Sequence, residues 1–257
     1  MELLDALKLQ YDWGADEALL DAPQDRRHAQ PPAPLTFQKS LPATTRRPAP
    51  SALAGPEAAA RIAAACMSLD ELEAAMRDFS GCALRDTATQ LVFADGAADA
   101  QLVIIGEAPG GEEDRLGKPF IGPAGHLLDK MLASIGLDRT KVRIINAVPW
   151  RPPGNRTPTE AEIGLCLPFL HRQIALVSPQ GLLTLGAVAA KALLGGEAQN
   201  GIRRVRGRWQ QVRIEGLPTA LPALPSYHPA YLLRTPLAKR ESWQDMLQLR
   251  AWLETQT

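Results

Sequence analysis

The chain has 257 residues, enough for one globular domain of about 200 residues and an extension. Hydrophobic residues make up 46% and charged residues 22%, the balance of a soluble protein, and 28 basic against 28 acidic residues leave a formal net charge of zero, so any affinity for a polyanion has to come from a local basic face. The sequence has no apolar run of about 18 residues, which excludes a membrane-spanning helix, and its three cysteines, none at C-x-x-C spacing, argue against a disulfide framework.

Residues 1–21 carry Leu3, Leu4, Leu7, Tyr11, Trp13, Leu19 and Leu20 at loosely helical spacing, which predicts a short helix that docks on another surface. This segment is acidic and amphipathic rather than a charged-then-apolar signal, so the cytoplasm is the expected location. Residues 22–56 are rich in Pro, Ala and Arg and read as a partly extended linker. Ordered sequence resumes at residue 57, and Ser68 is placed to cap a helix running to Phe79. Short apolar runs then alternate with helical stretches. Strands are expected at Leu102–Ile105, Val142–Val148, Leu182–Leu185, 209–214 and 219–224. Helices are expected at Leu127–Ile135, 158–176 behind Thr157 as cap, 187–194 and 238–254. That alternation predicts an α/β fold whose parallel sheet is covered by helices on both faces.

In an open parallel sheet, ligands bind at the carboxyl ends of the strands. The first strand ends in Gly106-Glu107-Ala108-Pro109-Gly110-Gly111-Glu112-Glu113-Asp114. The second ends near Asn146 and runs into Arg151-Pro152-Pro153-Gly154-Asn155-Arg156, and a late strand ends at Ser226-Tyr227-His228-Pro229. The polar and Gly/Pro-rich segments thus all fall on one edge. Taken singly, each has an ordinary explanation. Glu107 and Glu113 could be solvated acids, Asn146 a turn cap, His228 a satisfied histidine, Phe120 a core ring, and the arginines at 203, 204, 206 and 208 a solvated hairpin.

Taken together, the segments Gly106-Glu107-Ala108-Pro109-Gly110, Glu113-Asp114, Gly117-Lys118-Pro119-Phe120-Ile121-Gly122 and Ala124-Gly125 resemble the first motif of the family 4 uracil-DNA glycosylases. Asn146 with Arg151–Arg156 is similar to that family's second block, and His228-Pro229-Ala230-Tyr231-Leu232-Leu233-Arg234 to its last motif. The resemblance runs from about residue 79 to 254. It implies a three-layer sandwich around a central four-stranded parallel sheet. The implied activity is removal of uracil from single- or double-stranded DNA by base flipping and hydrolysis of the N-glycosidic bond.

The same resemblance implies roles. Phe120 stacks on the flipped base, and Asn146 reads the uracil edge through its N3–H and O4. Ala108 and Gly110 belong to the same substrate-binding motif, and Glu113 shapes the wall against a thymine methyl. His228 donates to the departing uracil at O2, Glu107 sits by the sugar and orients water, and Asn155 supports that water or the wall. Leu232, Leu233 and Arg234 are the implied wedge, and Arg204 and Arg206, within the basic run, face phosphates.

Members of that family hold a [4Fe–4S] cluster on four cysteines. Cys82 and Cys166 match two of these positions, but Phe79 and Trp150 stand at the other two, so no cluster and no other cofactor is expected. Asn146 favours uracil over other deaminated bases. The absence of an Arg-rich insertion between Asn155 and the following helix favours turnover over a module that captures uracil-DNA without cleaving it. A nucleotide-binding protein that does not act on DNA would not carry all three motifs. A monomer is expected, with residues 1–21 available to a protein partner.

Overall fold

A computed structural model of the protein describes residues 55–256. The helix expected over 1–21, and all but the end of the linker expected over 22–56, lie outside the described residues. Helices and strands are numbered here within the described residues.

Three helices come first: α1 (Pro56–Ala65), α2 (Leu69–Asp78) and α3 (Ala83–Thr87). Ser68 does cap α2, its hydroxyl accepting from the Glu71 N–H at 3.2 Å. The sheet is built from β1 (Asp95–Gly96), β2 (Leu102–Gly106), β3 (Val142–Asn146), β4 (Gly181–Leu185), β5 (Gln210–Val212) and β6 (Leu221–Ser226), in the order β1-β3-β2-β4-β6-β5. The four central strands, β3, β2, β4 and β6, are mutually parallel, as expected. The two short edge strands pair antiparallel and bring the sheet to six strands. β1 escapes a sequence reading because Asp95–Gly96 is too short to show any alternation.

Between the strands lie α4 (Gly111–Leu116), α5 (Pro123–Ala133), α6 (Glu160–Val177), α7 (Ala187–Leu194) and α8 (Ile202–Val205); α9 (Pro229–Arg234) and α10 (Lys239–Glu254) close the chain. β2 and β4 are buried at every position, because helices cover both faces. Leu102 and Ile104 pack with Leu128 and Leu132 of α5 and with Met246 and Leu249 of α10. Val103 and Ile105 point the other way, onto Leu170 and Ile174 of α6 and Ala189 of α7. Period-two alternation along one strand thus feeds two cores and makes the three layers. No helix among the described residues is long and apolar enough to cross a membrane.

Several boundaries differ from expectation, among them the helix expected at Leu127–Ile135, which runs Pro123–Ala133, and two whose cause is plain. β3 stops at Asn146, although Ala147 N–H still donates to Gly106 O at 2.9 Å and Val148 N–H to Glu107 O at 3.0 Å, so the backbone remains tied to β2 beyond the strand. α6 starts at Glu160 rather than 158, because the cap is Thr159: its hydroxyl accepts from Glu162 N–H while the Glu162 carboxylate accepts from Thr159 N–H, a capping box.

The end of β6 is fixed from below. Asp245 of α10 is fully buried, accepts from the Ser226 hydroxyl at 2.7 Å, and pairs with Arg206 Nη2 at 2.5 Å. Arg206 also donates to the Glu241 carbonyl at 2.6 Å and lies over the Tyr227 ring at 5.2 Å. This corrects the assignment of Arg206 to a phosphate: its guanidinium is committed to the interior. Removing one partner of a buried ion pair strands the other, at about 3–5 kcal/mol. Asp245→Ala should therefore lower the unfolding free energy in urea by about 3 kcal/mol or more, whereas the exposed Glu254→Ala should move it by less than about 0.5 kcal/mol.

Candidate active site

The parallel register puts the candidate residues together. Gly106 of β2 sits opposite Asn146 of β3, and β6 delivers Ser226 and then His228 at the same edge, with β4 between. The loops leaving these strands enclose a cavity of about 460 Å³. Glu107, Ala108, Gly110, Glu113, Phe120, Asn146, Asn155 and His228, the catalytic and substrate-binding candidates of the sequence, all line it, and so does Arg234, which the resemblance places in the wedge. Thr157 lines it too.

Phe120 is 4% exposed and has φ +53, a left-handed backbone that is uncommon for a bulky residue and costs about 1–2 kcal/mol. Two glycines make room for it. A Cβ on Gly106 would lie 2.6 Å from the ring, and a Cβ on Gly125 would lie 1.6 Å from the Phe120 carbonyl oxygen. The ring lies against His228 at 5.3 Å between centroids and 29° between planes.

Asn146 is 7% exposed, and its amide has no hydrogen-bond partner among the described residues. An amide that lines a cavity without a protein partner keeps a donor and an acceptor free for a ligand. Glu113 is the reverse: its carboxylate is occupied, accepting from Gly110 N–H and Gly122 N–H, both at 3.1 Å. It bridges the starts of α4 and α5 and makes that wall rigid. Asn155 accepts at Oδ1 from Arg151 Nε at 2.8 Å, which leaves its NH₂ to donate.

His228 Nδ1 accepts from Ala230 N–H at 3.2 Å, so in the neutral ring the proton sits on Nε2. Burial, assisted by the Arg234 charge and opposed by Glu113, lowers its pKa to about 4. The ring is therefore a neutral donor near neutral pH. Burial raises the Glu107 carboxyl above its ordinary value; the neighbouring Thr157 hydroxyl and Arg234 act in the opposite direction. The sequence marks Thr157 only as a helix cap. Nothing in a lone Thr beside a Pro signals its contact with Glu107.

The expected wedge divides. Leu232 is 1% exposed and packs with Tyr227 and Ala238, so it belongs to the interior and cannot enter DNA. Leu233 is exposed, as are Arg204 and Arg234.

The family model for the uracil DNA glycosylase superfamily matches residues 93–247. The chain belongs to that superfamily. It is 38% identical to a type-4 uracil-DNA glycosylase of Pyrobaculum aerophilum, over 70% of this chain and 92% of the relative. It is 40% identical to one of Thermotoga maritima, over 60% and 78%, and 39% identical to one of Archaeoglobus fulgidus, over 69% and 89%.

This member of the superfamily has an apolar corner beside the site. Cys82 and Cys166 are buried, and each shifts the other: the neighbouring Cys166 lowers Cys82 to about 7, and Cys82 together with burial raises Cys166. Phe79 packs edge-on against Phe169 at 5.0 Å, and Trp150, 1% exposed, joins the same cluster. Cys66 donates its thiol to the Ile62 carbonyl at 3.3 Å.

The electrostatics of the site can be read by nitrogen NMR. His228 should stay neutral, with Nδ1 unprotonated, until the pH falls to about 4. Arg234→Ala removes a positive charge that disfavours the imidazolium, so the titration should move up toward 6.5.

Proposed function

We propose that this chain is a uracil-DNA glycosylase of base excision repair, with the cavity of Phe120, Asn146, Glu107 and His228 as its active site. The single observation that carries the reading is Asn146, a buried residue that lines that cavity together with the Phe120 ring and His228. Uracil offers an N3–H donor and an O4 acceptor to one amide held in a fixed orientation, whereas cytosine offers the reverse and would leave buried groups unpaired, at about 1–3 kcal/mol each. Stacking on Phe120 contributes about 1–3 kcal/mol and tolerates any base, so it binds without choosing.

As the glycosidic bond breaks, its electron pair leaves with the uracil and positive charge grows on the sugar. The neutral His228 donates from Nε2 to the uracil O2, where the negative charge collects. The Glu107 carboxylate offsets the sugar charge and orients the water that adds to C1′. Asn155 supports that water or the wall, and Glu113, pinned by two backbone N–H groups, is the rigid surface that a thymine methyl would meet. Ala108 and Gly110 complete the base pocket. Leu233, with Leu237 at 91% exposed, is the wedge that fills the vacated stack. Arg204 and Arg234 are the phosphate contacts. We place the protein in the cytoplasm as a monomer acting on single- or double-stranded uracil-DNA, with residues 1–21 free to take a protein partner.

We further propose that no [4Fe–4S] cluster is held. Such a cluster takes four thiolates. At the matching corner only Cys82 and Cys166 are thiols, and Phe79 and Trp150 are buried in the same apolar cluster with them.

The test is a duplex with one uracil, treated with alkali after incubation. The wild-type chain should give strand cleavage, and Asn146→Asp and His228→Ala should each reduce the rate about 100-fold or more. Tight binding of uracil-DNA without cleavage would favour a capture module. The active protein, prepared without air, should be colourless; a brown preparation would mean that other ligands complete a cluster.

A further inference from the structure

The active-site ring stands on a strained residue, and something has to hold it there. Arg139, in the loop between α5 and β3, is a quarter exposed and spends its guanidinium in two directions. Outward, Nε donates to Asp129 of α5 at 2.7 Å, and Nη1 pairs with Asp95 of β1 at 2.8 Å. Inward, Nη1 donates to the Pro119 carbonyl at 3.2 Å, and Nη2 donates to the Phe120 carbonyl. Phe120 is the residue with φ +53. Its carbonyl is gripped by the guanidinium on one side and rests on Gly125 on the other, where a Cβ would lie 1.6 Å away.

We propose that Arg139 is a positioning residue for the base-stacking ring: it fixes the carbonyls of Pro119 and Phe120 and thereby sets the plane of the Phe120 ring. The proposal rests on the reading of Phe120 as the stacking surface. A left-handed aromatic residue persists only when its surroundings over-determine it. A planar fork with five N–H donors, anchored by two carboxylates, meets that need; a single ammonium does not. The plainer role, an ion pair tying α5 to the edge strand, predicts a loss of stability with the Phe120 ring left in its place. The two roles therefore predict different outcomes for one conservative change.

The experiment labels the full chain with 4-fluorophenylalanine, which gives five fluorine resonances from its five phenylalanines. The Phe120 signal is the one missing in Phe120→Leu. In Arg139→Lys that signal should shift and broaden while the other four hold, and kcat/KM on a single-uracil duplex should fall by about tenfold to a hundredfold. In the Phe120→Leu background the same Arg139→Lys change should add less than about twofold. Asp129→Asn, which loosens only the outer anchor, should lower the melting temperature and leave the Phe120 signal in place. Should Arg139→Lys not fold, Arg139→Gln, whose shorter amide cannot serve both carbonyls and both carboxylates, should move the same signal.

An unmoved Phe120 signal, or penalties that multiply in the double variant, would overturn the clamp. Wild-type turnover by Phe120→Leu would instead overturn the stacking role, and the fluorine spectra would still report whether Arg139 holds the backbone.

Discussion

Everything at the site depends on the parallel pairing of β3, β2, β4 and β6. Because the strands run the same way, their carboxyl ends meet at one edge, and the residues just past those ends are brought together from positions 106, 146 and 226 of the chain. The register is held by burial on both faces: slipping a strand by one residue would exchange the side chains packed into the two cores. The cavity is consequently a product of core packing. Its walls are braced by the protein's own packing and hydrogen bonds, which suits a site that favours developing charge without reorganising.

The polar groups at that edge divide into occupied and unoccupied ones. Glu113, Asp245 and Arg206 have their hydrogen-bonding capacity used within the protein, and they brace the walls and the end of β6. Asn146 and Nε2 of His228 do not, and they open onto the cavity. In a buried setting an unpaired polar group is unfavourable unless a ligand completes it. That division separates the groups that build the site from those proposed to do its chemistry.

The sequence disclosed the central layers well, because strands buried on both faces read as unbroken apolar runs and helices such as α2 announce their caps. It disclosed the cavity lining through motif order. Three things stayed hidden. Leu232 and Leu233 are adjacent and chemically identical, and only the docking of α9 turns the first inward and the second outward. Arg206 sits in a run of arginines that reads as a solvated patch, yet the burial of Asp245, 39 residues away, claims it. Arg139 and Thr157 act through a carbonyl and a carboxylate that are distant in sequence or unmarked by any motif, so only the folded chain connects them to Phe120 and Glu107.

The central claim is that the cavity reads the edge of a flipped uracil. The most direct measurement is chromatography of the free base released from three duplexes identical except for uracil, thymine or cytosine at one position. Release of uracil alone, by a margin of about 100-fold or more over the other two, is the predicted result. Comparable release of cytosine would contradict the role of the Asn146 amide, and comparable release of thymine would contradict the wall built on Glu113.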